Sequence, residues 1–420
     1  MYAAVEQMIE KVRTGLQDEY SAYVFENCYR DTIEKTIHIE PDKTVFILTG
    51  DIPAMWLRDS TCQMKPYLPL CRDDAEIADI IEGLIKRQFS YIIADPYANA
   101  FNETENGHCY LHDETEMKPI IWERKYELDS LCFPLQLSYQ FWKSSGRTSH
   151  FTKEWKTAVL RIMEVLDTEQ FHETKSKYRF IRKNHPVPDT LSRDGMGALV
   201  KENIGMVWSG FRPSDDACTY GYLVPSNMLL TVVMGYLSEI SSEVYGDEKL
   251  ASRALNLAEQ VRASIEKNAV IDIFGRKLYA YEIDGFGQYE LMDDSNLPSL
   301  LSAPYMGYCK ADDKIYKTTC KMLLSEENRY YYKGTVLEGI GSPHTPAGYV
   351  WDISLAMQGL VSSDKEYKKE MISRLSHADG GTGLMHEGIS CNDDKEYTRP
   401  WFSWANAMYC ELVMDYLGYC

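Results

Sequence analysis

Two loops that carry carboxylates are the strongest candidates for chemistry in this sequence. The segment RPSDDA places Asp215 beside Asp216, and the segment GGTGLMHEG carries Glu387 among four glycines. Two carboxyl groups are enough for hydrolysis of a glycosidic bond, because one can donate a proton to the leaving oxygen while the other activates a water or attacks the sugar. These two loops therefore supply candidate carboxylates for a hydrolase that could work without a metal or cofactor.

Each of these carboxyl groups also has a purely structural interpretation. Adjacent carboxylates raise each other's pKa, which suits a proton donor. Ser214, Asp215 and Asp216 could instead form the N-cap and first turn of the next helix, which would lower an Asp pKa. Glu387, next to His386, could act as a general base or could be an exposed loop glutamate. The residues alone leave these alternatives open.

Three further groups of polar residues could bind a ligand or a metal. In WLRDS, Arg58 can bind hydroxyls in a fork and Asp59 can accept from two sugar hydroxyls, although an internal ion pair or a helix N-cap is the alternative. His344 in SPHTP can bind a hydroxyl or pack as a structural histidine. His108 and His112 are four residues apart in a segment that looks like a loop, and no H-E-x-x-H motif occurs, so no metal site is predicted.

The tryptophans predict where a ligand lies. An indole ring can stack on the apolar face of a sugar while carboxylates and arginines bind its hydroxyls. Loops around a ring of helices meet at one end, so these segments can share one pocket, although a single Trp could simply brace its loop. Six of the eight Trp lie in such loops, namely Trp56, Trp122, Trp208, Trp351, Trp401 and Trp404.

The composition argues against several other classes of protein. The 63 acidic and 44 basic side chains give a net charge of −19, which disfavours nucleic acid and anionic membranes as partners. No apolar stretch approaches the roughly 20 residues of a membrane helix. The 11 cysteines form no C-x-x-C pair, so we predict free thiols in a reducing, cytoplasmic compartment.

Helical periodicity dominates the chain and strand-like runs are few. Short strand-like runs at 44–48, 178–182 and 277–283 are interpreted as hairpin pieces in loops. No linker divides the sequence, so a single domain over residues 1–420 is predicted. Amphipathic helices are predicted at 2–27, 73–94, 126–145, 150–168, 217–243, 247–268, 312–325, 364–376 and 402–417, with weaker ones near 60–70, 295–305 and 348–361.

The loop segments together resemble glycoside hydrolase family 125, the exo-α-1,6-mannosidases. The resemblance runs in order from about residue 20 to residue 415 and implies an all-α fold, an (α/α)6 barrel of six helical hairpins. This barrel requires twelve helices, and the three weaker helices are assigned with the help of the resemblance. The segments that carry the resemblance are DIPAMWLRDS, TEMKPIIWERKYELDSLC, WSGFRPSDDA, SAPYMGY, SPHTPAGYVWD and the ending from HEG to TRPWFSWANA.

The resemblance also implies a reaction and its residues. Terminal non-reducing α-1,6-linked mannose is expected to be released from N-glycan-type or mannan oligosaccharides, with inversion and without a metal. The general acid is expected to be Asp215 or Asp216, and the general base Glu387. Alternatives are a trehalase- or glucoamylase-like enzyme, or a mannoside-binding protein without catalysis. The expected sugar-binding residues are Trp56, Arg58, Asp59, Trp122, Glu127, Arg212, His344, His386 and Trp401.

Overall fold

The computed structural model describes residues 2–185 and 187–420, and helices make up most of the secondary structure. The α-helices are α1 (Ala3–Gly15), α2 (Glu19–Lys35), α3 (Leu57–Met64), α4 (Ala75–Ala94), α5 (Leu128–Ser145), α6 (Lys153–Glu169), α7 (His172–Lys175), α8 (Ser192–Gly195), α9 (Val224–Glu243), α10 (Glu248–Asn268), α11 (Lys314–Leu323), α12 (Asp352–Leu360), α13 (Lys365–His377) and α14 (Ser403–Leu417). Two 3-10 helices span Lys65–Leu70 and Val187–Asp189.

The strands form separate sheets of two or three strands, which confirms that they are hairpin pieces and not a central sheet. The predicted strand at 178–182 is wrong, because this segment makes only an isolated bridge between Ile181 and Glu114. The strands are β1 (Ile37–Ile39), β2 (Val45–Ile47), β3 (Met55–Trp56), β4 (Ala100–Phe101), β5 (Ile121–Glu123), β6 (Tyr222–Leu223), β7 (Val270–Ile273), β8 (Arg276–Tyr279), β9 (Glu282–Ile283), β10 (Tyr289–Glu290), β11 (Tyr331–Lys333), β12 (Glu338–Ile340), β13 (Tyr349–Trp351), β14 (Gly388–Ser390) and β15 (Asp393–Tyr397).

The helices form an inner and an outer ring, as the (α/α)6 prediction requires. Helices α3, α5, α9, α12 and α14 bury most of their residues, and α3 packs between α5 and α14, while α5 also contacts α9 and α14 contacts α12. Helices α2, α4, α6, α10, α11 and α13 leave one face exposed and alternate with the inner helices along the chain. The apolar faces of both rings join in one buried hydrophobic cluster.

Several predicted helix boundaries are wrong for local reasons. The predicted helix 2–27 is split, because the backbone is extended at Leu16 and Asp18 starts a new helix by accepting the N–H groups of Tyr20 and Ser21. The predicted helix 217–243 begins only at Val224, after β6. None of the described helices is both long enough and apolar enough to cross a lipid bilayer.

Each inner helix begins directly after an extended residue, and the starts of α3, α12 and α14 lie at the cavity described below. The residues before these three helices are Trp56, Trp351 and Phe402. The N-terminus of a helix carries partial positive charge from its free N–H groups. The fold therefore gathers helix ends that favour carboxylates at one end of the barrel.

The predicted helix at 295–305 is wrong, and this inner-ring position holds consecutive turns. Pro304 lacks the backbone N–H that a continuous helix would need at this position. The buried carboxylate of Asp293 accepts the backbone N–H groups of Leu300 and Leu301, both at 2.9 Å, and so caps the turns. Burial raises the pKa of Asp293 to about 8, against the opposing effect of these two hydrogen bonds.

We expect Asp293 to make the fold less stable as the pH rises from about 4 to about 8. Its unfolded pKa is about 3.9, so across this window the folded protein holds a proton that the unfolded chain has released. The stabilisation that protonated Asp293 contributes is complete below the pKa of Asp293 in the unfolded chain. It is lost as the pH rises through the higher pKa of Asp293 in the folded protein. One such proton changes the free energy of unfolding by at most about 1.4 kcal/mol per pH unit.

Denaturant unfolding at several pH values across this window measures the effect. The Asp293→Asn variant should show a flatter dependence of the unfolding free energy on pH than the unaltered protein. The same slope in both proteins would show that other groups cause it.

Candidate active site

A cavity of about 450 Å³ opens where the inner helices begin. Seven of the predicted site residues line it, and they come from segments far apart in sequence. The cavity wall combines carboxylates with aromatic rings, which suits a ligand with both hydroxyl groups and apolar faces. The predicted residues in the wall are Trp56, Arg58, Asp59, Asp215, Asp216, His344 and Glu387.

The other five predicted residues do not belong to this lining. Arg212 pairs with buried Glu282 at 2.5 Å, and Trp122 packs behind Trp56. His386 has its ring nitrogens near the carbonyl oxygens of Arg399 and Asp379. The indole of Trp401 donates to Asp31 at 2.6 Å, and Glu127 binds Arg58. None of these five side chains is part of the cavity lining, and a direct contact of any of them with sugar stays a prediction.

Arg58 is the centre of the polar part of the site. Its buried guanidinium donates to Asp59 at 3.0 Å, to both oxygens of Glu127 at 3.1 Å and to Asp129 at 3.3 Å. A carboxylate oxygen of Asp215 lies 3.6 Å from the same group. All three nitrogens therefore face carboxylates, so Arg58 organises the acidic residues, which is the internal ion pair that sequence reasoning left open.

The carboxylates around Arg58 cannot all be ionised, because four negative charges would face one positive charge out of water. Burial raises the pKa of Asp59 and of Asp129 to about 6, against the effect of Arg58. Burial also raises the pKa of Glu127 well above its usual range. For Asp215 the effect of burial is outweighed by the charges of Arg58 and Lys125, which lower its pKa to about 2. The proton shared by Glu127 and Asp215 therefore lies on Glu127 in the free cavity.

The backbone of Asp215 adopts a strained conformation that several contacts maintain. Its φ of 65° lies in the left-handed region, which is costly for a residue other than glycine and is common at functional sites. Lys125 donates to its carbonyl oxygen at 2.7 Å, and Asn99 donates to its carboxylate at 3.0 Å. The N-cap interpretation of this segment is wrong, because α9 starts several residues later, at Val224.

Asp216 is held by a histidine from another loop. One of its carboxylate oxygens lies 3.0 Å from Nδ1 of His344. Burial would lower the pKa of His344, but the hydrogen bond and charge of Asp216 raise it to about 9, so the imidazole is positively charged at neutral pH. Ser214, two residues before Asp216, donates a hydrogen bond to buried Asp294 at 2.5 Å and anchors the loop. Only 7% of the Asp216 side chain is exposed, against 25% for Asp215.

Glu387 lies in a loop whose backbone is fixed on both sides. Asp379 accepts the N–H groups of Gly381 and Gly383, and Asp352 accepts the N–H of His386 at 2.7 Å. Within residues 2–185 and 187–420, no side chain forms a hydrogen bond or an ion pair with the carboxylate of Glu387, although the group lines the cavity. A carboxylate without protein partners in a cavity is free to bind a water or a sugar hydroxyl.

Sequence reasoning missed several residues of the site. Lys125 lies in the segment WERKYELDS, from which only Trp122 and Glu127 are predicted to bind sugar, and Asn99 lies outside every motif. Tyr110 lines the cavity from the loop in which only His108 and His112 were considered. No group of three or more metal-binding side chains is arranged around a common point in the described residues.

A cavity lined with carboxylates and aromatic rings, at the helix starts of an (α/α)6 barrel, defines an enzyme of the glycoside hydrolase class. Over residues 18–414 the chain matches the family described as metal-independent alpha-mannosidase (GH125). The protein belongs to this family of glycoside hydrolases.

Individual relatives agree with this assignment. The "meiotically up-regulated gene 157 protein" of Schizosaccharomyces pombe is 39% identical over 437 residues, which cover 99% of this chain and 86% of that protein. A Streptococcus pneumoniae structure from a family of metal-independent alpha mannosidases, a non-productive substrate complex with alpha-1,6-mannobiose, is 46% identical, covers 99% of this chain and 98% of that one, and has a TM-score of 0.96. A bacterial glucoamylase complexed with acarbose is 11% identical, with a TM-score of 0.56 over 87% of this chain and 49% of that one, and shows the fold alone.

Proposed function

We propose that the protein is an inverting, exo-acting α-mannosidase that releases terminal non-reducing α-1,6-linked mannose from N-glycan-type or mannan oligosaccharides. Membership of the family supports hydrolysis of α-mannosides. The α-1,6-mannobiose bound in the Streptococcus pneumoniae relative supports the linkage. The observation that carries the proposal is the carboxylate of Glu387, which has no side-chain partner among the described residues and lines the same cavity as Asp215 and Asp216. The free cysteines support a reducing, cytoplasmic location.

In the proposed mechanism, Glu387 takes a proton from a water that attacks the anomeric carbon. The bond from that carbon to the glycosidic oxygen breaks as the new bond forms, and the leaving oxygen receives a proton from Asp215, which takes it over from Glu127 as the reaction proceeds. Attack from the face opposite the leaving group converts an α-mannoside into β-mannose. The water needs room, so inversion requires the two carboxyl groups to be about 6.5–9.5 Å apart.

Asp215 fits the role of proton donor better than Asp216. Its side chain is the more exposed of the two, at 25% against 7%. Asp215 also adjoins the protonated Glu127, so the pair together holds a proton although Asp215 itself is ionised in the free cavity. One oxygen of Asp216 already contacts the imidazole of His344, and less of the Asp216 side chain is exposed.

The proposal is tested by incubation with α-1,6-mannobiose beside its α-1,2 and α-1,3 isomers, with the product anomer followed by NMR. We expect rapid release of mannose from the α-1,6 isomer alone, with β-mannose appearing first. Release of α-mannose first would indicate retention, and cleavage of α-glucosides instead would favour a glucoamylase-like enzyme. Binding of mannobiose without any product would favour a binding protein.

We expect Glu387→Gln to abolish hydrolysis of α-1,6-mannobiose while binding persists. Glutamine keeps the shape of the side chain but cannot take the proton from water, and loss of a general base costs about 10²- to 10⁴-fold in rate. Calorimetry measures binding and product assays measure turnover. Glu396→Gln is the matched control, because Glu396 is an exposed residue of the adjacent β15. Near-normal turnover by Glu387→Gln would reject its assignment as the base.

We expect Asp215→Asn to lose at least about 10²-fold in rate on α-1,6-mannobiose but much less on α-mannosyl fluoride. Fluoride leaves without a proton, so an enzyme without its acid can still hydrolyse this substrate. Asp216→Asn should impair both substrates alike, because it disturbs binding and the contact with His344. If the fluoride instead rescues Asp216→Asn and not Asp215→Asn, the acid is Asp216.

A further inference from the structure

One side of the cavity wall has no role in the proposed reaction. It is formed by Tyr110, Arg182 and Asp189. It adjoins the proposed acid, because Lys125 donates both to the carbonyl oxygen of Asp215 and to the carboxylate of Asp189, each at 2.7 Å. We name this set, Tyr110 with Arg182 and Asp189, the outer wall.

The ring of Tyr110 is an exposed aromatic surface on a firm support. The residue is 54% exposed, and the Arg182 guanidinium carbon lies 5.3 Å from the ring centroid, which is cation–π distance. A large aromatic side chain so exposed at the edge of a cavity is costly to leave in water and is suited to stacking against a ligand.

The loop that carries Tyr110 is fixed to the barrel. Arg182 donates two hydrogen bonds of 2.7 Å to the carboxylate of Asp113, which belongs to the same loop as Tyr110. The next residue, Glu114, exchanges backbone hydrogen bonds with Ile181. The backbone N–H of Tyr110 itself donates to the carbonyl oxygen of Trp122 at 3.2 Å. The position of the ring is therefore set before any ligand binds, which lowers the entropy cost of stacking.

The charges of the outer wall are already paired. Arg182 contacts Asp113, Glu123 and Asp189, and Lys125 contacts Asp189. Three carboxylates thus surround these two cations, and Nδ1 of His185 lies 3.0 Å from Asp189, so each basic group of the described residues at the outer wall already faces a carboxylate. The carboxylate of Asp189, with 24% of its side chain exposed, can still accept hydroxyl groups. This chemistry fits a neutral sugar.

The position of the proposed acid decides whether the released mannose or the leaving sugar lies next to the outer wall. A general acid must reach the glycosidic oxygen, which joins the mannose that is cut off to the sugar that leaves. Lys125 links the outer wall to Asp215, whereas no hydrogen bond or ion pair between described residues links the outer wall to the proposed base Glu387. The leaving sugar is therefore the part of the substrate nearest the outer wall.

We propose that Tyr110 is the stacking platform for the leaving sugar, a neutral pyranose, and that it sets the preference for oligosaccharide over simple mannosides. This inference rests on the proposed function, since it assumes that Asp215 is the acid.

The test compares Tyr110→Ala with the unaltered enzyme on α-1,6-mannobiose and on α-mannosyl fluoride, which has no second sugar. We expect kcat/KM for mannobiose to fall about tenfold or more, mostly through KM, and the fluoride to be affected far less. Tyr110→Phe keeps the ring and should recover most of the loss. Tyr23→Ala is the matched control, because Tyr23 is 53% exposed on α2 and does not line the cavity.

The outcomes separate this inference from the proposed function. If the unaltered enzyme does not cleave α-1,6-mannobiose, the proposed function is wrong. If it does, equal losses on both substrates, or no loss on either, overturn the role of Tyr110. A mannobiose whose leaving sugar carries a phosphate should be cleaved at least about tenfold more slowly, because the outer wall has no free cation. Equal cleavage would overturn the assignment to a neutral sugar.

Discussion

The buried guanidinium of Arg58 is the interaction on which the rest of the site depends. It joins α3, which carries Arg58 and Asp59, to the start of α5, which carries Glu127 and Asp129, and to the loop with Asp215. A buried charge is costly unless it is paired, and each carboxylate here would be equally costly without the arginine. The inner helices are therefore tied together at the end where the cavity opens, and the same pairing determines which carboxyl groups keep a proton.

The carboxyl groups differ in pKa because they are buried at different positions around Arg58 and Lys125. Asp215 lies close to both Arg58 and Lys125 and is ionised, whereas the more deeply buried Glu127 keeps its proton. Neighbouring carboxyl groups whose pKa values are driven apart are the usual basis of acid–base catalysis. The strained backbone of Asp215 is maintained by Lys125 and by the anchoring of Ser214 to Asp294. The site is thus held in position before substrate arrives, which lowers the cost of reaching the transition state.

The two proposed catalytic groups come from separate parts of the barrel. Asp215 is positioned by α3, α5 and the loop before α9, while Glu387 is positioned by Asp352 at the start of α12 and by the glycine-rich loop after α13. The two parts meet because α14 packs against both α3 and α12. Closure of the inner ring therefore brings the proposed acid and the proposed base to one cavity, and an error in ring packing would separate them.

The sequence by itself determined the helical class, most of the outer helices and the loops that form the cavity, because amphipathic periodicity and clusters of Trp, Gly and charge are local patterns. The sequence-based prediction failed at residues 295–305. This segment is buried like an inner helix, but it forms turns. The roles of individual side chains were decided only by the tertiary structure. The sequence left open whether Arg58 binds sugar or forms an internal ion pair, and in the structure it binds Glu127, 69 residues away, while His344 holds Asp216 across 128 residues. Whether a polar atom faces a ligand or another side chain depends on such distant partners, which no local pattern contains.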